Sequence, residues 1–317
     1  MIEELNQFFS RMFVSDSSEA QSINSLFKDY LLIAAIILFI VAFLVIGGII
    51  FFHHKKRPDE PKQIFGNKYL ELVWTFIPLV IVTILFFLSL KIMRKINEPV
   101  ISGKKPDINI IAHQWWWDFR YPKDNVVTAN ELHIPVNKKM LIEIESADVI
   151  HSWWVPALGR KIDAIPGRIN YGWLEADTVG VFDGTCSEYC GTEHAWMRIT
   201  VVAETQDNFE KWIKSQQKVS VPPTDSLSHA GEILFQSKTC GSCHTIAGTP
   251  ADAHIAPDLT HIASRKTLLS GMKKNSTENM RKWLENPQKV KKGANMPDFL
   301  LSKNEVEALT AYMEQLK

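Results

Sequence analysis

The stretch Cys186-Ser-Glu-Tyr-Cys190-Gly-Thr-Glu-His194-Ala-Trp-Met197 sets two thiols, an imidazole and a thioether within 12 residues. Thiolate and thioether are soft donors that favour copper, and imidazole suits copper as well. A second histidine stands upstream in Val149-Ile-His151-Ser-Trp-Trp-Val-Pro156. The competing reading is a structural zinc site of two cysteines and two histidines. Methionine is not a usual zinc ligand, and the Cys-x3-Cys-x3-His spacing lets both sulfurs of one compact loop face one spot. Copper is therefore preferred.

Outward from this loop, residues 107–204 read as short strands. Lys139-Met-Leu-Ile-Glu-Ile-Glu145 alternates, Arg198-Ile-Thr-Val-Val-Ala203 is β-branched, and glycine and proline punctuate between. The pattern predicts a Greek-key β-sandwich, closed by a short helix over Gln206–Gln216. Ser215–Thr224 is polar, contains Pro222-Pro223 and reads as a linker.

Beyond it the periodicity is helical. Cys240-Gly-Ser-Cys243-His244 is the attachment signature of a c-type haem, with two thioethers on the haem vinyls and the adjacent histidine on the iron. A redox dithiol is the alternative, and His244 counts against it. Met296, in the loop Gly293-Ala-Asn-Met-Pro297, is the candidate for the sixth position; a methionine opposite histidine raises the potential of the iron. Met272, Met280 and Met313 are rivals, the last two at helix-like positions that suit packing. A final helix opens with the capping box Ser302-x-x-Glu305. Only four cysteines, in two close pairs, argue against a disulfide framework.

On the N-terminal side, Tyr30–Phe52 is a run of 23 residues without a charge and Leu72–Leu90 a run of 19. Each suffices to cross a hydrocarbon core of about 30 Å. The first follows a polar segment, Met1–Asp29, and is too long for a cleavable signal core. Lys55, Lys56, Arg57, Lys62 and Lys68 outnumber Asp59, Glu60 and Glu71 in the connection, which predicts it to be cytoplasmic. Both termini and both soluble domains then lie on the extracytoplasmic side of a bacterial inner membrane. With 35 basic against 35 acidic residues the formal net charge is zero, so no polyanion-binding role and no nucleic-acid partner is indicated. The expected organisation is residues 1–94 with spans at about 30–52 and 72–92, a metal-binding domain over 95–216, a linker over 217–224 and a haem domain over 225–317.

The context of His151, the stretch Asp163-Ala-Ile-Pro-Gly-Arg168 and the Cys-Ser-Glu-x-Cys-Gly-x-x-His-x-x-Met loop resemble cytochrome c oxidase subunit II from the first span to about residue 215. The resemblance implies a cupredoxin fold with a dinuclear copper (CuA) centre. Cys186 and Cys190 would bridge the coppers, His151 and His194 would each ligate one, and Met197 and the Glu188 carbonyl would be weak axial ligands. The Glu188 side chain would help bind magnesium at the contact with the catalytic subunit; a solvated loop carboxylate is the plainer alternative. His113-Gln-Trp-Trp-Trp117 matches a family motif in which Trp115 is the surface residue where electrons come in, although at least one of the three tryptophans is expected to pack the core. Glu71 matches a glutamate at the mouth of a proton-input path, with interfacial solvation as the alternative.

Residues 225–317 resemble a class I cytochrome c. There Phe235 and Tyr312 would mark a helix crossing, Pro257 would neighbour the axial histidine and Arg265 would pair with a haem propionate. Ala256 stands where that family usually has glycine. Joining the two domains is the signature of caa3-type oxidases. The implied role is to pass electrons from cytochrome c or another donor through haem c and CuA to the catalytic subunit I of a proton-translocating oxidase, which reduces oxygen to water alongside other oxidase subunits. No intramembrane histidine cluster is present, His53 and His54 lying at the edge of a span, so the oxygen site is expected in another subunit. A CuA-containing nitric oxide reductase and a membrane-tethered electron carrier are the alternatives. The short linker is expected to let the haem domain sample a limited volume near the copper domain.

Overall fold

The computed structural model describes residues 14–53, 55, 63, 65–97 and 103–317. Two compact units emerge, one within residues 21–99 and one holding the rest of the described chain. His54, Lys56, Arg57, Asp59, Glu60, Lys62 and the segment 1–13 lie outside the described residues, so of the connection's cations only Lys55 and Lys68 are described.

Two long helices, α1 (Ser18–Phe51) and α2 (Lys68–Ile96), carry the apolar runs. They pair antiparallel: Tyr30 Oη meets Ser89 Oγ at 2.8 Å and Lys95 Nζ donates to Ser22 Oγ at 2.9 Å. Side chains such as Leu38, Phe39 and Phe43 point outward, two-thirds or more exposed. A face of that kind needs lipid around it. Both helices begin before the apolar runs do. Caps, rather than hydropathy, set the starts: Ser17 Oγ accepts from Ala20 N, and Asn67 Oδ1 accepts from the Tyr69 and Leu70 amides.

The β-domain is a sandwich of two five-stranded sheets. The first has the order β3 (Val126–Ala129), β2 (Trp116–Tyr121), β1 (Ile108–His113), β5 (Met140–Ser146) and β8 (Asn170–Leu174). The second has the order β4 (Glu131–Pro135), β10 (Arg198–Glu204), β9 (Gly180–Cys186), β6 (His151–Trp154) and β7 (Ile162–Ala164). β1–β5 and β4–β10 are parallel and every other pair is antiparallel. Period-two patterning turns Ile108, Ile110 and Ala112 of β1 and Ile142 and Ile144 of β5 inward, against Trp117, Phe119, Trp153 and Val201. Helix α3 (Gln206–Gln216) seals one end with Phe209 and Ile213.

The C-terminal domain holds α4 (Ser226–Ser237), a hairpin of β11 (Thr267–Leu268) and β12 (Lys273–Lys274), α5 (Thr277–Glu285), the single turn α6 (Pro287–Val290) and α7 (Lys303–Gln315). Both halves of the capping box at Ser302 and Glu305 are formed. Phe235 of α4 and Tyr312 of α7 meet edge-on at 6.0 Å. The crossing is close because Gly231 has no side chain: a Cβ there would lie 2.0 Å from the Ala308 carbonyl oxygen and 2.8 Å from Tyr312 Cβ. Backbone cannot yield as a flexible side chain can. Gly231→Ala is expected to destabilise this domain by about 3 kcal/mol, read by calorimetry as a lowered C-terminal transition; an unchanged transition would show that the helices do not cross here.

The two soluble domains are packed together within one unit. Residues 217–224 are held as well: Ser220 N donates to the Ala247 carbonyl at 2.9 Å, and Thr224 N donates to Gln315 Oε1 at 3.1 Å.

Candidate metal centre and haem pocket

β9 ends at Cys186, and a turn carries the chain through Cys190 and the 3₁₀ turn His194–Trp196 into Met197 before β10 begins. The Cys186 amide donates to the Met197 carbonyl at 2.9 Å, closing the loop at its base. β6 brings His151 alongside. The donor atoms gather accordingly. Cys186 Sγ is 3.8 Å from Cys190 Sγ, 3.8 Å from His151 Nδ1 and 3.3 Å from the Glu188 carbonyl oxygen. Cys190 Sγ is 3.5 Å from His194 Nδ1 and 3.8 Å from Met197 Sδ. Both cysteines are buried and unbridged, and His151 and Met197 are fully buried.

This donor set fits a metal ion. Two sulfurs 3.8 Å apart match two metal–thiolate bonds of about 2.3 Å meeting at one metal. A hydrogen bond from Cys190 holds the Cys186 thiol far below its ordinary value, and that same bond, with burial and the neighbouring thiolate, pushes Cys190 up. Both become thiolates when positive charge sits beside them. The Asp148 carboxylate sits 2.7 Å from His151 Nε2, and a carboxylate only accepts, so Nε2 carries a hydrogen and Nδ1 is the nitrogen that faces Cys186. Burial works to lower the His151 pKa, but the bonds with Asp148 and Cys186 outweigh it and the net shift is upward. Burial likewise raises Asp148, and its bonds from His151 and the Gln114 and Val149 amides outweigh that, keeping it ionised. No motif in the sequence marks Asp148, although a carboxylate three residues before His151 is a usable signal.

The three tryptophans divide their work. Trp117 lies in the core, edge-on to Trp153 at 5.5 Å, and Trp116 stacks on His113 at 4.2 Å. Trp115 differs from the surface position that the resemblance implied. It is 9% exposed, its Nε1 donates to the Cys190 carbonyl at 2.9 Å, and the C-terminal domain covers it. Glu188 keeps its side chain exposed. Glu71 lies in the exposed first turn of α2, where its carbonyl accepts from Thr75 Oγ1 at 2.8 Å.

The second site is a cavity of about 450 Å³ lined by Cys240, Cys243, His244, Pro257, Arg265 and Met296 among mainly apolar neighbours. His244 Nδ1 is 2.8 Å from the Pro257 carbonyl, and a carbonyl only accepts, so Nδ1 carries the hydrogen and Nε2 is left with its lone pair. Burial lowers the His244 pKa and keeps the ring neutral, as ligation requires. Arg265 is half-buried and its inaccessible Nε has no partner among the described residues, which suits an anionic group in the cavity. A haem with carboxylate substituents fits that lining. Gln288, which no sequence motif marks, pins the Met296 loop: its Nε2 donates to the Ala294 and Met296 carbonyls and its Oε1 accepts from Gly293 N. Met280 and Met313 also line the cavity from α5 and α7, whereas Met272 does not.

A lipid-facing helix pair, a cupredoxin-like sandwich ending in a soft-donor loop and a helical domain with a haem-sized cavity define a membrane-bound electron-transfer protein. Comparison with known proteins narrows this. Residues 5–92 match the cytochrome c oxidase subunit II transmembrane domain, residues 125–204 the subunit II periplasmic domain and residues 228–317 cytochrome c. Cytochrome c oxidase subunit 2 of Alkalihalophilus pseudofirmus is 36% identical over 262 residues, 81% of this chain and 76% of the relative. That of Bacillus subtilis is 32% identical over 277 residues, 81% and 77%. The chain belongs to the cytochrome c oxidase subunit II family, in the form that carries a cytochrome c domain of the caa3 type.

Proposed function

We propose that this chain takes electrons in at its C-terminal domain and passes them by way of Trp115 to the Cys186–Met197 loop, for delivery to the oxygen-reducing subunit I of a haem–copper oxidase. As an oxidase subunit it is the electron-input component, and the oxygen site lies in another chain. When bound, haem c and the copper pair supply reversible one-electron chemistry.

The observation that carries the route is one residue shared by two sites. Trp115 lines the cavity of Cys240, Cys243 and His244, and its indole is hydrogen-bonded to the Cys190 carbonyl. In this reading Cys186, Cys190, His151 and His194 would hold the copper pair, with Met197 and the Glu188 carbonyl completing the donor set. Asp148 orients His151. Cys240 and Cys243 would bind the haem covalently, His244 and Met296 would supply the ligands of its iron, Pro257 orients His244 and Arg265 would hold a propionate. The exposed Glu188 carboxylate suits a magnesium ion at the contact with subunit I, and Glu71 suits the mouth of a proton path. The soluble domains are extracytoplasmic, and cytochrome c or a similar one-electron donor is the source.

Purification of the complex tests this. The expected preparation contains a large polytopic subunit, shows haem c and copper-pair absorption and consumes oxygen. Nitric oxide consumption in place of oxygen, or isolation of this chain alone, would overturn the assignment.

A further inference from the structure

Trp115 is gripped from the C-terminal domain. Its carbonyl accepts from Ser270 Oγ at 2.9 Å and from Lys291 Nζ at 2.8 Å. Ser270 is 1% exposed and Lys291 5%. Burial brings the Lys291 ammonium down to about 8, against the opposing pull of Glu193.

Ser270 reaches Trp115 from the tip of the β11–β12 hairpin. There Leu269, Ser270 and Gly271 have φ of 58, 58 and 78° in succession. Two consecutive non-glycine residues in the left-handed region persist only where surroundings over-determine them. Here the surroundings are the sandwich, whose Arg198 amide donates to the Ser270 carbonyl at 3.2 Å. At the hairpin's base stands Glu131, the first residue of β4 and only 3% exposed. Its Oε2 accepts from Lys266 N at 3.0 Å, and its Oε1 accepts from Thr267 N at 2.7 Å and Thr267 Oγ1 at 2.8 Å. All three donors belong to the other domain. A carboxylate and an ammonium are costly to bury unless their partners stay in place. Two such groups, one on each domain, fit a permanent contact better than a passing encounter.

We propose that the β11–β12 hairpin and Lys291 form a latch, with Glu131 as its receptor, that holds the haem-binding domain on Trp115 and closes this face of the copper-binding domain to external electron donors. Glu131, Ser270 and Lys291 are then positioning residues. They also set donor specificity: an external donor must reduce the C-terminal domain, because the direct way to the copper loop is covered.

The proposal rests on the cofactor assignments above, and its test separates the two. Intact oxidase complex, wild type and Glu131→Ala/Lys291→Met, is examined by amide hydrogen exchange and by stopped-flow reduction with a soluble reduced c-type cytochrome. Haem and copper spectra are recorded on the same samples. In the wild type, the Lys266 and Thr267 amides are expected to be protected, and copper reduction to follow haem reduction in a step independent of donor concentration. In the double variant those amides should exchange at least about tenfold faster and the internal step should slow about tenfold. A second copper-reduction phase, proportional to donor concentration, should appear. Glu131→Gln keeps an acceptor for the Thr267 pair and should restore most of the wild-type behaviour. Equal amide protection in wild type and double variant, or loss of protection without the new bimolecular phase, would overturn the latch. Missing cofactor spectra in the wild type would overturn the cofactor assignments, while the exchange data would still judge the latch.

Discussion

Cys190→Ser is expected to abolish copper binding in this chain. Cys190 Sγ is the hub of the loop, facing Cys186, His194 and Met197 at 3.8, 3.5 and 3.8 Å. A hydroxyl is a harder donor and does not ionise at neutral pH, so serine would supply no soft thiolate to copper. The loss should exceed the 10- to 100-fold that changing a residue behind the ligands costs in metal affinity, roughly the ceiling for Asp148→Asn. Metal analysis and the mixed-valence paramagnetic spectrum measure it directly. The haem should still be attached and reducible, because Cys240, Cys243 and His244 belong to another domain. Trp115 should also stay in place, since its indole is bonded to the Cys190 carbonyl, which serine retains. Full copper content with an unaltered spectrum would refute the ligand assignment.

Met296→Ala is expected to leave the haem covalently bound while opening the position opposite His244. The loop that carries Met296 is held by three hydrogen bonds of the Gln288 side chain to Ala294, Met296 and Gly293 backbone. Truncation therefore removes the thioether without collapsing the loop. Axial ligands span about 0.8 V in haem proteins, and exchange of a thioether for water should lower the potential by roughly 0.1 V or more. Carbon monoxide should then bind the reduced variant more readily than the reduced wild type. Potentiometric titration with carbon monoxide difference spectra separates Met296 from its neighbours in the cavity. If Met280→Ala or Met313→Ala shows the shift and Met296→Ala does not, the sixth position belongs to α5 or α7.

Much of this protein is legible in its sequence because ligand chemistry and periodicity are local properties. The spacing Cys186-x3-Cys190-x3-His194-x2-Met197 needs only one short loop to gather its donors, and Cys240-Gly-Ser-Cys243-His244 only one turn. Alternation along β5 and the uncharged runs of α1 and α2 likewise declare their surroundings without a partner in view. His151 could be picked out as the missing imidazole because copper sites need one. The residues that tertiary structure alone decided act across long separations. Asp148 is visible only when β6 turns His151 toward the loop, and Glu131 when a hairpin some 136 residues further on places its amides over it. Trp115 shows the difference most plainly. The family resemblance puts Trp115 at the surface with core packing as the alternative, and residues 217–224 read as a short linker that leaves the haem domain a limited volume. The packed structure instead covers the indole and pins the linker, because burying Glu131, Ser270 and Lys291 against backbone partners satisfies groups whose cost no local pattern in the chain reveals.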